Sequence, residues 1–186
     1  MYDIFDEKLT DVASKYHHAR VPAVFITSSH ELSKNVTAFT VANNTDRSLF
    51  KAGVRMFADL ELLEKKDNLH HRNSGLDTTE AKLCAAQHIL VGISLKNLRT
   101  LDPVIIGRVM QNIELCRSHG AQMAVFSNAT SEGELMHEND VHSLLLTLGM
   151  SPSQAKQTLG NLERAYKEFL FEKSPQFIKK GVKKVS

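Results

Sequence analysis

The sequence predicts an α/β protein with parallel strands flanked by helices, and three observations lead there. Six short runs rich in β-branched and aromatic residues recur along the chain: YDIF at 2–5, AVFITS at 23–28, VTAFTVA at 36–42, VRMFADL at 54–60, HILVGISL at 88–95 and QMAVFSN at 122–128. Segments with helical spacing lie between several of them. No internal repeat or linker divides the 186 residues. Alternation of strand and helix builds parallel sheets, because each crossover must return the chain to the start of the next strand. An open doubly wound sheet and a closed barrel both satisfy this. The chain is short for eight β/α units, which take about 200 residues or more.

The helices follow in order. Residues 7–18 form the first. The second covers 77–86, where Asp77 caps the start and Glu80 stands three residues on, as in a capping box. The third is PVIIGRVMQNIELCRSHG at 103–120, with Asp102 as its cap, Pro103 at the first helical position and Gly120 at its end. Its stripe of Ile106, Val109, Met110, Ile113 and Cys116 keeps the helical period, and Arg108, Gln111, Glu114 and Arg117 face elsewhere. The apolar run VHSLLLTLGM at 141–150 reads as a buried helix, and Ser151, Pro152 and Gln154 cap the next one. The charge run ELLEKKDN at 61–68 reads as a solvated loop or helix end. The chain divides into one domain over 1–172 and a basic tail over 173–186.

Composition sets further bounds. No apolar run is long enough to span a membrane, and MYDIFDEKLTD at the start carries acids where a secretory signal has basic and apolar regions. Cys84 and Cys116 each sit in a helical pattern, with no CxxC, and read as small core residues in a reducing compartment. A cytoplasmic protein is expected. The net charge is only +2, but after Glu172 the chain carries Lys173, Lys179, Lys180, Lys183 and Lys184 and no acid. Such a tail suits a polyanion, or serves as a solvated end.

The stretch HHRNSGLDTTEAK at 70–82 is the densest in polar chemistry. Adjacent pairs such as His17-His18 and His70-His71 point in divergent directions on a helix or strand, so neither chelates a metal easily. Strand ends offer Asp3, Ser28, Ser29, His30, Asn43, Asp59 and Asn128, a mixed and thin donor set. Glycine-rich phosphate loops and the HExxH and GxSxG signatures are absent. A phosphate cradle at 70–82 is disfavoured, because Asp77 and Glu80 satisfy and repel at the helix start where an anion would sit. Gly75 supplies a turn, and Arg72 either pairs with an internal carboxylate or reaches toward a partner's phosphates.

Four elements in one order resemble a family. They are Arg72, Ser74, Gly75 and Asp77 before a helix; Arg108, Asn112, Leu115 and Arg117 along a helix; Ser127, Asn128 and Ala129 at a strand end; and Leu148, Gly149 and Met150 closing a helix. This series is similar to the barrel-type protein subunit of archaeal and eukaryal ribonuclease P, over residues 36–159. The resemblance implies a compact TIM-like (β/α) barrel, complete or trimmed at the front, related to the polymerase and histidinol phosphatase barrels. The sequence departs from the family at Thr78, where members often carry His, and at Asn128 and Thr130, where many carry Asp and His. MYDIF lacks the His-x-His of metal-using relatives. These losses speak against an independent metal hydrolase.

The resemblance further implies a noncatalytic subunit, inactive alone, which helps a catalytic RNA remove the 5′ leader of precursor tRNA. Mg²⁺ would belong to the RNA, with no cofactor on the protein. A small ferredoxin-like protein would be its partner, in a heterodimer or heterotetramer. Of the cations, Arg72, Lys96, Arg99, Arg108, Arg117, Lys179 and Lys180 are expected to contact RNA, and Ser74, Gly75, Asp77, Asn112, Ser127 and Asn128 to build the framework. Two alternatives stand beside this: a metal-dependent phosphoesterase on the same barrel, needing His30, Asp59 and a strand-end acid together, and an open α/β small-molecule binder.

Overall fold

The structure is a computed structural model that describes residues 1–34, 37–68, 72–175, 177–179 and 182–183. Val36, His70, His71, Lys180 and Lys184, which figure in the sequence reading, lie outside the described residues, as do the side chains of Lys34, Lys179 and Lys183. The strands are β1 Tyr2–Asp3, β2 Ala19–Arg20, β3 Ala23–Ile26, β4 Phe39–Ala42, β5 Met56–Phe57, β6 Leu90–Ser94, β7 Met123–Phe126, β8 Phe177–Lys179 and β9 Val182–Lys183. The helices are α1 Thr10–Lys15, α2 Ser29–Lys34, α3 Arg47–Ala52, α4 Thr78–Gln87, α5 Leu95–Leu98, α6 Pro103–His119, α7 Glu138–Thr147 and α8 Pro152–Glu172.

The expected α/β class with parallel strands is what the chain forms. Strands β3-β4-β5-β6-β7 make one sheet, parallel throughout. β1 and β2 form a separate parallel pair. That pair docks on the end of β7: Phe5 bridges Ala129, and the Asn128 N–H donates to the Ile4 carbonyl at 2.8 Å. Among the described residues no closed barrel forms. Only Val21 and Pro22 separate β2 from β3, and Pro22 has no N–H to give to a ladder.

Side chains alternate across the sheet with the period of two that strands impose. Val91, Ile93, Met123 and Val125 face a cluster built with α4, α6 and α7, and Leu90, Ala124 and Phe126 face the opposite way. There they meet Phe39, Met56, Leu162 and Phe169. The second half of α8 therefore covers the face that strand side chains fill by themselves in a full barrel. Residues Leu162, Ala165, Tyr166 and Phe169 follow the i, i+3, i+4, i+7 spacing of one helical face. Each fully buried Phe or Leu here contributes about 1.5–3 kcal/mol.

Local signals placed the ends of α4 and α6 well, whereas the first helix, expected over 7–18, is a 3-10 turn at Glu7–Leu9 followed by α1, which stops at Lys15. The Glu80 N–H donates to Asp77 at 2.7 Å and the Asp77 N–H returns to Glu80 at 2.9 Å, so the box on α4 is complete. On α6, the Val104 N–H donates to Asp102 at 2.8 Å and Gly120 takes the left-handed conformation. On α8 only half of the expected box is made. The Gln154 N–H donates to Ser151 Oγ at 3.2 Å, but the Gln154 Oε1 atom is buried without a donor. Cys84 and Cys116 are buried and unpaired, and burial pushes the Cys84 thiol up to about 12, so it stays protonated. Among the described residues, no helix is long and apolar enough to cross a membrane. The tail segment β8–β9 pairs antiparallel, and Phe177 meets Phe171 edge-on at 5.8 Å between ring centres.

Candidate nucleic-acid interface

Five of the residues singled out in the sequence, Arg72, Ser74, Gly75, Arg108 and Asn112, meet at one feature, the long connection from β5 to α4 and the face of α6 that holds it. The connection leaves β5 through Asp59, in the left-handed region at φ 57°, and one 3-10 turn over Leu60–Leu62. Three side chains of α6 at helical spacing then grip it. Arg108 Nε donates to Asp67 at 2.7 Å, and its Nη1 donates to the carbonyls of Glu61 and Glu64 at 2.8 and 2.6 Å. Gln111 Nε2 donates to the Arg72 carbonyl at 3.1 Å, and Asn112 Nδ2 to the Ser74 carbonyl at 3.0 Å. The Asn73 N–H and the Arg108 guanidinium hold the Asp67 carboxyl below its ordinary range.

Two glycines make the fit. Gly75 has φ 73°, and a Cβ there would lie 2.0 Å from the Leu60 carbonyl oxygen, far closer than a carbon and an oxygen can approach without a bond. A Cβ on Gly107 would lie 2.5 Å from Arg72 Nε, so the Arg72 side chain lies flat against α6 at the one place the helix is bare. Ser74, Gly75 and Asn112 thus meet under the connection, and Asp77 caps α4 just after it.

Arg108 needs correcting as an RNA contact. It is 3 % exposed, and its guanidinium is engaged by the connection, so it holds the loop and is not offered to a phosphate. The charge run at 61–68 also divides: residues 62–68 are exposed as expected, but Glu61 is buried. Of the other cations, Arg72 and Lys96 are exposed and Arg99 is half-buried. Arg117 is exposed, with Nη1 donating to the Gly149 carbonyl at 3.0 Å and Nη2 to Glu114. Lys96 and Arg99 sit just past the C-terminal end of β6, whereas Arg117 lies nine residues beyond Arg108, roughly 13 Å along α6 and toward the strand starts. The structure does not gather the expected cations into one patch.

Asn97, absent from the sequence reading, joins two carboxylates at the strand ends. Its Nδ2 donates to Asp59 and to Glu61, each at 2.7 Å. Burial pushes both carboxyls up, against the pull of the Asn97 bonds, and Asp59 adds to the rise at Glu61. A raised carboxyl binds its proton more tightly in the folded state, so folding gains stability as pH falls. That gain begins near the raised folded values and is complete at the ordinary carboxylate range, about pH 4. Thermal unfolding midpoints are accordingly expected to rise on acidification from neutrality toward that range, and Glu61→Gln is expected to flatten the rise. A pH-independent midpoint in the unaltered chain would contradict it. Below the ordinary range, Asp46, Asp67, Glu114 and Glu134, all held low by local hydrogen bonds, lose their contributions instead.

Ser127 and Asn128 occupy the junction of β1 with β7. Asp3 is fully buried, its Oδ1 accepting the N–H groups of Ser127 at 2.6 Å and Ile4 at 2.8 Å, while Oδ2 contacts His18 Nδ1 at 2.8 Å. Ser127 Oγ donates to the Ile4 carbonyl, and Asn128 takes φ 49° to turn the chain away. These bonds tie β1 to the end of β7. Among the described residues, no three His, Cys, Asp or Glu side chains stand together as metal ligands would.

Comparison with solved structures places this architecture. A chain in the cryo-EM structure of archaeal ribonuclease P with mature tRNA superposes at a TM-score of 0.67, with 15 % identity, over 100 % of this chain and 87 % of that one. The two share a fold. A crystallised amidohydrolase matches at a TM-score of 0.54 and 13 % identity over 90 % of this chain, which spans 47 % of the amidohydrolase's length. No family model matches the sequence, and no curated protein matches it.

Proposed function

We propose that the chain is a noncatalytic protein subunit of a ribonuclease P, assisting an RNA that carries out Mg²⁺-dependent removal of the 5′ leader of precursor tRNA. The observation that supports it most is the fold likeness to a chain of archaeal ribonuclease P across the whole of this chain, at nearly the same length. Two of the four sequence elements that resemble the family add to it, since Arg72 and Ser74 of the first are held by α6, which carries Asn112 of the second. In this reading α6 clamps the connection so that Arg72 is presented, and Lys96, Arg99 and the tail lysines supply further phosphate contacts. The partners are the ribonuclease P RNA and a small ferredoxin-like protein, and the setting is cytoplasmic.

Cleavage of precursor tRNA by the cognate RNA at low Mg²⁺ tests it. Cleavage is expected to rise sharply when this protein joins the ferredoxin-like partner, and no change across Mg²⁺ and salt would refute the role. The second reading is a metal-dependent phosphoesterase on the same fold, against which stands the lack of three grouped metal-ligating side chains among the described residues. It predicts bound Zn, Mn or Fe in the purified protein and hydrolysis of phosphate esters without RNA.

A further inference from the structure

Glycine inside a helix weakens it, because the unfolded chain has more freedom to lose there than with any other residue. Gly107 in α6 and Gly160 in α8 both occupy such interior positions. At Gly160 an added Cβ would meet nothing within 4 Å, so space does not call for the glycine. At Gly107 the three nearest atoms would be Nε, Cζ and Cδ of Arg72, at 2.5, 3.0 and 3.2 Å. All three belong to the side chain of one exposed residue. This separates Gly107 from Gly75, where the added carbon would strike the backbone of Leu60. The path of the chain requires Gly75. What requires Gly107 is the pose of a single guanidinium.

Two successive turns of α6 set that pose. Gln111, four residues after Gly107 and on the same face, donates to the Arg72 carbonyl at 3.1 Å and fixes its backbone. Gly107 leaves a bare stretch of helix for the side chain to lie on. The charge of Arg72 stands near Asp67, whose carboxyl is held low first by the Asn73 N–H, and then by Arg108 and Arg72. Asp67 is already bonded to that N–H and to Arg108 Nε, and among the described residues no ion pair joins it to Arg72. The guanidinium is therefore placed without being consumed. An arginine held in this way has less rotamer freedom to lose when it meets a partner, so it binds more tightly than a mobile one.

We propose that Gly107 is a positioning residue for Arg72: α6 carries a glycine in its interior so that the Arg72 side chain is held in one pose against the helix. The use of that pose in ribonuclease P rests on the subunit reading above, whereas the pose itself does not. The test is ¹⁵N relaxation of the Arg72 Nε–H group in the full chain. Its order parameter is expected near that of rigid backbone, about 0.8, and below about 0.6 in Gly107→Ala. The thermal midpoint of Gly107→Ala should hold or rise, by up to about 4 °C, because alanine favours the helix. Gly160→Ala, as the control, should raise the midpoint similarly and leave Arg72 rigid. In the precursor tRNA assay, Gly107→Ala should raise the protein concentration for half-maximal stimulation about three- to tenfold, the cost of ordering one long side chain, with the plateau unchanged. Added to Arg72→Ala, it should change nothing further. A mobile Arg72 in the unaltered chain, or one equally ordered in Gly107→Ala, would overturn the proposal. So would a midpoint several degrees lower in Gly107→Ala, since Gly107 would then be a glycine of the fold. If Gly107 orders Arg72 but the unaltered protein adds nothing to cleavage, the subunit reading alone has failed.

Discussion

Arg108→Ala is expected to destabilise the fold by about 3 kcal/mol, since two backbone carbonyls each lose a hydrogen bond from a charged donor, worth about 1.5–3 kcal/mol apiece. For a chain of this length that is roughly a 6–12 °C fall in the thermal midpoint. The cost arises because the Glu61 and Glu64 carbonyls lose their donor under the connection, and Asp67 loses its cation. Arg108→Lys recovers little, since an ammonium cannot reproduce a fork that reaches three oxygens. Backbone amide exchange separates this from a diffuse loss of stability. Protection should collapse first over residues 59–77, where the clamp acts, before the sheet yields. A loss spread evenly over the chain, or a change within a few tenths of a kcal/mol, would remove Arg108 from the role of clamp.

Gly75→Ala is expected to cost about 3–4 kcal/mol. A left-handed backbone conformation alone costs a residue with Cβ roughly 1–2 kcal/mol. The larger part is steric, because the added carbon meets the backbone oxygen of Leu60, which cannot rotate aside as a side chain could. Relief requires the Ser74–Leu76 segment to lift from Leu60, and that draws the Ser74 carbonyl off Asn112. Both substitutions therefore loosen the same connection. Combined, they should cost less than the sum of the two, with a coupling of about 1 kcal/mol or more in a double-mutant cycle. Full additivity in thermal or denaturant unfolding would mean that the two act on separate parts of the fold.

What the sequence made legible follows the range of each interaction. The caps of α4 and α6 were readable because Asp77 with Glu80, and Asp102 with Pro103 and Gly120, act within a few residues of themselves. The parallel sheet was readable from the alternation of short runs with helical spacing. Arg108 was not, since a charged residue beside an apolar helical stripe reads as solvent-facing, and its partners lie 41 to 47 residues away. Glu61 and Asn97 were hidden for the same reason, being 36 residues apart and joined only once β5 and β6 are neighbours. Closure of the strands was misleading in another way. The stripe at Leu162, Ala165, Tyr166 and Phe169 announces a buried helix face but does not say which sheet face it covers.

The junction of β1 with β7 has a consequence for how the chain assembles. Asp3 makes its bond to the Ser127 N–H across 124 residues of chain, and Ile4 does the same with Ser127 and Asn128. During synthesis these first residues are made early and must wait, solvated, until β7 exists to receive them. The β3-to-β7 sheet can form by adding neighbours one after another, whereas the opening pair of strands can only dock last. Docking of such distant partners is slow, because the long loop must close before any contact rewards it. Refolding from denaturant should therefore show the interior of the sheet protected before the opening pair. Until that late step the backbone of residues 127–129, just past β7, stays open to strands of other chains, a route to aggregation.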